Sequence, residues 1–395
     1  MDFDIIVIGG GIQGAGVLQA AAAAGYSALL LEQQAEPAAG TSSRSSKLIH
    51  GGLRYLESGE IGLVYECLRE RKLLLQNAPQ LVKLQPFYIP VYQESKRRPW
   101  TIQAGLILYT LLAGLEKKTI FRVIKRNRRE ELNGLKQAGL LKVFRYADAQ
   151  TDDAALTRAV LHSAQTLGAE VRLNAKFLNA DRSEQGYAVN YLNRQTGATH
   201  RLSAHALVNA AGPWINRVMD GIQPAPAPFG IDLVQGSHIL LPGSIGERIY
   251  YLEAPRDKRA IFVMPWKGNL MVGTTEHVFE GDPADTAATP EEIAYLLGVF
   301  NHYFPQFYAH GPATERDLLG SFAGLRVLPK DTSNPFVRTR ETQYVYDDKH
   351  RPRLVAIYGG KLTSYRSTAE KVVKKLAPQL PPRIPRADTK KLRLT

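Results

Sequence analysis

At 395 residues the chain is longer than one ordinary domain and long enough for two. Its single cysteine, Cys67, excludes an internal disulfide, a cysteine-ligated iron–sulfur cluster and a four-cysteine zinc site. A net charge of +13 with 22% charged and 44% hydrophobic residues describes an ordered globular protein with an anionic partner, whether substrate, membrane surface or nucleic acid. The first strand begins almost at Met1, so the sequence predicts no leader and a cytoplasmic chain.

The chain opens on Asp4-Ile-Ile-Val-Ile-Gly-Gly-Gly-Ile-Gln-Gly-Ala-Gly16. The β-branched run Ile5 to Ile8 predicts a buried parallel strand. Gly9, Gly11 and Gly14 follow in the G-x-G-x-x-G pattern of a dinucleotide site: a tight turn, a close approach to a pyrophosphate, and a helix packed tightly on its sheet. The Ala-rich run Val17 to Ala24 predicts that helix, whose N-terminal N–H groups and dipole suit a diphosphate. A second strand, Ala28 to Leu31, ends at Glu32, where a carboxylate accepts bonds from a ribose 2′-OH and repels a 2′-phosphate.

Next comes Gly40-Thr-Ser-Ser-Arg-Ser-Ser-Lys-Leu-Ile-His-Gly-Gly-Leu-Arg-Tyr-Leu56. Small residues let backbone lie against a flat ligand, while Lys47, His50, Arg54 and Tyr55 supply polar groups. Ser45 to Leu56 resembles the hallmark of the FAD-dependent glycerol-3-phosphate dehydrogenases, within the D-amino-acid oxidase-like flavoproteins. The resemblance implies a Rossmann-like FAD-binding domain and a discontinuous second, substrate domain built on a mainly antiparallel sheet. It also implies that Thr41, Ser42, Ser46, Lys47 and Leu48 bind the cofactor.

Ile61 to Ala78 has the spacing of an amphipathic helix, and Cys67 within it reads as a buried, inert thiol. Pro86, Pro90 and Pro99 are expected to punctuate short strands. Ile102 to Leu115 is apolar but too short to span a bilayer. With Lys96-Arg-Arg-Pro-Trp100 before it and Lys117, Lys118, Arg122, Lys125, Arg126, Arg128 and Arg129 after it, residues 96–129 predict contact with an anionic membrane surface. Nucleic acid is disfavoured, because the bases lack interleaved aromatics.

Thr151-Asp-Asp153 reads as a helix cap, Glu170 to Phe177 as a strand, and Tyr187 to His200 as a hairpin. Ala206-Leu-Val-Asn-Ala-Ala-Gly-Pro-Trp214 is a buried strand entering a glycine turn and resembles a second flavin motif of the family, through Gly212. Phe177 is implied on the adenine side. Ile231 to Leu241 is strand-like with a glycine break before His238. Two strands meet at Lys267-Gly268, Thr289-Pro290 opens a helix, and Leu318 to Leu328 is strand-like. Leu354 to Tyr358 is an apolar strand that meets Gly359-Gly360-Lys-Leu-Thr363, a turn offering N–H groups to the flavin's electron-rich edge; it resembles a third cofactor signature of the family, which implies Leu362 and Thr363 with it.

The expected domains are 1–80, 145–225 and 341–380 for FAD, 81–144 and 226–340 for substrate, and a tail over 381–395. A secondary alcohol needs a base for its hydroxyl proton and an acceptor for hydride. His238 is the candidate base and His50 a flavin contact. Arg326 is a candidate for oxyanion stabilisation, and Arg54, Tyr55, Arg340 and Lys361 for the substrate phosphate; Arg338 competes with Arg340. The reading is oxidation of sn-glycerol 3-phosphate to dihydroxyacetone phosphate with non-covalent FAD. Electrons pass to a quinone at the inner face of the cell membrane, and no metal is expected. An O2-using oxidase, a dehydrogenase of another 2-hydroxy acid and a homodimer stay open. A non-enzymatic flavin-binding protein is disfavoured by the intact His238, Arg326 and Lys361.

Overall fold

The computed structural model describes residues 1–394 apart from 117, 133, 225, 228 and 331–340, with the backbone alone at 129–131. Strand β1 (Phe3–Ile8) is buried along its whole length between two parallel neighbours. Ile5 lies opposite Ala28 of β2 (Ala28–Leu31) and Ala206 of β10 (Thr199–Asn209). A strand bonded at both edges and packed on both faces needs a continuous apolar run, which is what Ile5 to Ile8 provides. Beyond β2 comes β7 (Glu170–Arg172), and the second half of β10 pairs in parallel with β19 (Leu354–Tyr358). The first half of β10 forms a hairpin with β9 (Tyr187–Asn193), continued by β8 (Ala175–Arg182) and β11 (Ile222–Gln223), while β18 (Gln343–Tyr346) borders β19. Helices α1 (Ile12–Ala23), α4 (Asp153–Thr166) and α7 (Tyr365–Leu376) share a core on one face, and α5 (Ile215–Asp220) packs on the other.

The second sheet is antiparallel in all its described pairings but one. Its centre runs β12 (Ile231–Leu241), β15 (Asn269–Gly273), β14 (Ala260–Trp266), β13 (Ile249–Glu253), β4 (Val82–Tyr92) and β6 (Leu140–Thr151), with β13 and β4 the parallel pair. β17 (Gly320–Pro329) flanks β12, and β3 (Leu48–Ile49), β5 (Arg122–Val123) and β16 (His277–Phe279) add short edges. Helix α6 (Pro290–Tyr303) packs on one face; α3 (Pro99–Leu112) and part of α2 (Ile61–Asn77) cover the other. Strand pairing crosses the domain boundaries expected above: β3 and the end of β6, at 48–49 and 145–151, belong to this second sheet.

Three local expectations are corrected. β4 is one strand through Pro86 and Pro90, which lie opposite Ala147 and Val143 of β6. Proline is tolerated in a strand where its missing donor meets no ladder, and the other side of β4 is paired only at Phe87 and Tyr88. β12 is unbroken at Gly236, which serves a close approach described below. The last residues are no loose tail: Arg383 pairs with Asp4 at 3.0 Å, the Arg386 N–H donates to the Ala23 carbonyl at 2.7 Å, and the Leu394 N–H donates to the Asn77 carbonyl at 2.8 Å.

Candidate functional site

A cleft of about 790 Å³ is lined by residues of both sheets. One part of its wall is the turn from β1 into α1. Gly11 caps α1, and the Ile12 N–H donates to Ser42 Oγ at 2.9 Å. Gly14 is not on the wall; a Cβ there would stand 1.9 Å from the Gly9 carbonyl oxygen, so its bareness lets the helix seat against the turn. The Glu32 carboxylate accepts the Gly10 N–H at 2.6 Å and the Gln34 N–H at 2.8 Å. Burial raises its pKa, and the backbone donors pull against that. Gly9, Gly11, Glu32, Thr41, Ser42, Ser46, Leu48, Phe177, Gly212, Gly359, Gly360, Leu362 and Thr363 all line the cleft.

Lys47 does not line the cleft. Its ammonium is buried 2.7 Å from Asp153 and 2.5 Å from the Ser43 carbonyl. Asp153 also accepts from the Ser45 N–H and hydroxyl, at 3.0 and 2.6 Å. The capping of α4 falls instead to Asp152, which accepts the Ala155 N–H at 3.0 Å. Lys47 therefore ties the loop at 43–47 to α4, while Ser46 and Leu48 beside it line the cleft.

The rest of the wall gathers cations and neutral imidazoles. Lys361 Nζ lies 3.9 Å above the Tyr55 ring and finds no hydrogen-bond partner among the described residues, although it is buried. The Arg54 guanidinium is 5.3 Å from the same ring. Arg326 donates from Nη2 to Thr274 Oγ1 at 3.2 Å and places Nη1 3.4 Å from Glu276 Oε1. Gly236 makes this possible, because a Cβ there would lie 2.6 Å from Arg326 Nη2. Arg340, the fourth expected cation, and its competitor Arg338 lie outside the described residues.

His238 stacks on Phe322 at 4.9 Å, sets Nε2 2.9 Å from Ser46 Oγ, and buries Nδ1 with no partner among the described residues. Gly273 leaves room for the ring, since a Cβ there would meet it at 2.2 Å. Burial first, then the Arg326 and Lys47 charges, bring the His238 pKa down to about 3. His50 also falls to about 3, through burial and then Lys361, Arg54 and Arg71. Both rings are therefore neutral near pH 7.

Behind His238 stands a carboxylate that sequence reasoning passed over. Glu292 completes a capping box with Thr289 at the start of α6 and is 7% exposed. Oε2 accepts from Gln235 Nε2 at 2.7 Å, Ser237 Oγ at 2.6 Å and the Thr289 N–H at 3.1 Å, while Oε1 accepts from Thr275 Oγ1 and lies 3.1 Å from His277 Nδ1. Burial acts to raise its pKa, but the donors from Ser237, Thr275, Thr289 and Gln235 prevail and leave it lowered. One carboxylate thus joins β12, the turn after β15 and α6 around the strand that carries His238. Gln13, Tyr251, Phe262 and Glu276 were also missed as wall residues. Glu276 lies in the turn between β15 and β16, where nothing local marks it as the carboxylate that meets Arg326. Gln13 occupies a variable position of the glycine pattern, where no signal existed.

The wall fits a flavin dinucleotide on its own chemistry. Close glycines and a helix N-terminus stand in one part, and Glu32 is held by backbone beside them. Gln13 Oε1, Lys361 Nζ and His238 Nδ1 are buried polar atoms without partners among the described residues. Such atoms are costly unless a bound group satisfies them.

Residues 4–366 match the family described as FAD dependent oxidoreductase (DAO). A glycerol-3-phosphate dehydrogenase of Pseudomonas aeruginosa is 41% identical over 380 residues, covering 95% of this chain and 72% of that one. A D-erythritol 1-phosphate dehydrogenase of Brucella abortus is 37% identical, covering 94% and 73%. The solved glycerol-3-phosphate dehydrogenase of Bacillus halodurans, complexed with FAD, superposes with a TM-score of 0.78 at 27% identity, over 100% of this chain and 68% of that one.

Proposed function

The chain belongs to the FAD-dependent oxidoreductases of the DAO family, and on that footing we propose that it oxidises sn-glycerol 3-phosphate to dihydroxyacetone phosphate and passes the electrons to a quinone. The observation that carries the substrate reading is Lys361: a buried ammonium without a hydrogen-bond partner among the described residues, sharing the Tyr55 ring with Arg54. Arg54, Arg326 and Lys361 are among the cations that line a cleft also holding two neutral imidazoles, a setting for an anionic alcohol. FAD, held without a covalent tether, supplies the acceptor for the hydride that leaves carbon 2. Arg54 and Lys361 bind the phosphate, and Arg326 stabilises charge developing on the substrate oxygen. His238 accepts the hydroxyl proton at Nε2, the ring atom that has a cleft-side partner in Ser46. A phosphate dianion nearby would raise the imidazole pKa from its value in the cation-rich cleft, which favours that transfer.

The acceptor reading is supported by α3. Ile102, Leu106 and Tyr109 face the core, while Trp100, Ala104, Ile107 and Leu111 form an exposed stripe on its other face, with Leu115 beyond the helix end. Arg122, Lys125, Arg126 and Arg128 follow and are exposed. An apolar stripe beside cations suits peripheral binding to an anionic bilayer, where a quinone diffuses. No helix among the described residues is long and apolar enough to cross a membrane.

The resemblance to a D-erythritol 1-phosphate dehydrogenase favours a second reading, a longer polyol phosphate. The deciding experiment mixes holoenzyme anaerobically with sn-glycerol 3-phosphate, D-erythritol phosphates and lactate and follows loss of oxidised-flavin absorbance. Fast bleaching by glycerol 3-phosphate alone is expected; bleaching only by the other substrates overturns the assignment. Turnover with a soluble quinone and none with O2 supports the acceptor, and oxygen uptake without added quinone overturns it.

A further inference from the structure

The backbone that carries His50, Arg54 and Tyr55 has little regular structure of its own: a two-residue strand, Leu48–Ile49, then a single 3-10 turn, Leu53–Leu56. Side chains from two other elements hold the segment between them, Thr363 also donating to the His50 carbonyl at 3.4 Å. Thr363 Oγ1 accepts the His50 N–H at 3.2 Å, and Tyr109 Oη accepts the Gly51 N–H at 2.8 Å. The Tyr109 hydroxyl donates to Asp148 Oδ2 at 2.7 Å, and Asp148 Oδ1 is ion-paired with Arg71. Arg71 also donates to the Ala147 carbonyl at 3.1 Å. Arg71, Tyr109 and Asp148 are each no more than 3% exposed, and they come from α2, α3 and β6.

A buried ion pair is an expensive way to fill a core that apolar side chains would fill as well. What distinguishes this one is its outlet. The carboxylate fixes the direction of the phenol's hydrogen, which turns an oxygen lone pair toward Gly51. Gly51 is bare enough to reach it; a Cβ there would lie 2.6 Å from Tyr109 Oη and 2.7 Å from Leu68.

We propose that Tyr109 is a positioning residue: oriented by the Asp148–Arg71 pair, its hydroxyl fixes the Gly51 backbone and so sets where Arg54 and Tyr55 meet the anionic end of the substrate. The proposal rests on the phosphate-binding reading given above. It adds a role in binding to a helix that otherwise covers one face of the second sheet and turns an apolar stripe outward.

The test uses Tyr109→Phe holoenzyme, which keeps the ring and removes the oxygen. Inorganic phosphate is titrated by calorimetry, which needs no turnover. A buried N–H left without its acceptor predicts about a tenfold rise in the phosphate Kd and in KM, with kcat within about threefold. Tyr250→Phe is the control: Tyr250 is buried, its hydroxyl donates to the Leu132 carbonyl at 2.7 Å, and it does not line the cleft. It should lose thermal stability with no change in phosphate affinity. An unchanged Kd and KM in Tyr109→Phe, or an equal rise in Tyr250→Phe, overturns the proposal. Absence of phosphate binding by the wild-type holoenzyme overturns the anionic-site reading first, and this proposal with it.

Discussion

Replacing Glu292 by glutamine tests whether one buried carboxylate organises the strand behind the candidate base. The substitution keeps shape and changes one oxygen to an amide. The Thr289 N–H, 3.1 Å from Oε2, cannot accept, and the Gln235 amide, whose Nε2 is 2.7 Å from Oε2, is held in its orientation by a second bond to the Ala287 carbonyl at 2.9 Å. The amide nitrogen will therefore take the Oε1 place, where the Thr275 hydroxyl can rotate to accept. The three bonds at Oε2 survive but lose their charge assistance. Bonds to charged groups contribute roughly 1.5–3 kcal/mol and neutral ones roughly 0.5–1.5, so the loss is about 1 kcal/mol per bond and about 3 kcal/mol in all. Urea unfolding at pH 7 and fixed FAD concentration measures it, the fixed ligand being needed because FAD binding itself adds stability. The pH dependence supplies a sign. The folded pKa of Glu292 is lowered below 4.5, so its contribution is fully present above the unfolded value and is lost as pH falls through the folded one. The gap between wild type and Glu292→Gln should therefore close in acid. A variant within about 0.5 kcal/mol of wild type at pH 7, below the usual cost of one buried hydrogen bond, or a gap that persists in acid, refutes the reasoning.

Other outcomes follow from the same geometry. Gly14→Ala, whose Cβ would collide with the Gly9 carbonyl at 1.9 Å, should purify without FAD, as the flavin-to-protein absorbance ratio will show. Arg326→Lys keeps a charge but loses the two-pronged contact to Thr274 and Glu276; it should keep its flavin and lose at least about tenfold in kcat/KM. Cys67 is fully buried and its thiol is raised to about 11 by burial, so iodoacetamide should label it only in denaturant, as mass spectrometry will report. Ile107→Glu with Leu111→Glu should abolish co-sedimentation with anionic liposomes while dye reduction continues; retained binding would remove α3 from the membrane reading.

What could be read from the sequence was whatever is local. The run Ile5 to Ile8, the glycines after it and Glu32 belong to one contiguous unit, so periodicity and turn chemistry reach it. Gly359 and Gly360 were legible for the same reason, as a turn at a strand end. The contacts that shape the site are long-range and escape such reading. Glu292 looks in sequence like an ordinary first-turn acid of a helix, and its partners Gln235 and Ser237 lie on β12, more than fifty residues earlier. Lys47 sits in a hallmark motif, yet its charge is answered by Asp153, more than a hundred residues on. Pro86 and Pro90 look like strand breaks until β4 is seen to be nearly unpaired on one side. Gly236 looked like a break because a glycine in a strand reports either a bend or a neighbour pressing close, and only the position of Arg326 decides between them.

The order of strands around β1 has a consequence for how the protein is made. β1 emerges first, but its neighbour β10 lies at 199–209, and β10 in turn waits for β19 at 354–358. The turn at 359–363 that completes the cleft is translated later still. Through most of synthesis the ribosome therefore holds a glycine-rich turn and an apolar strand with one edge unpaired. Pairings so distant in sequence form slowly, and unpaired edges aggregate. FAD should consequently load only once residues 359–363 have left the ribosome. Expression yield should then respond to chaperone supply and riboflavin in the growth medium more than to substitutions on the surface.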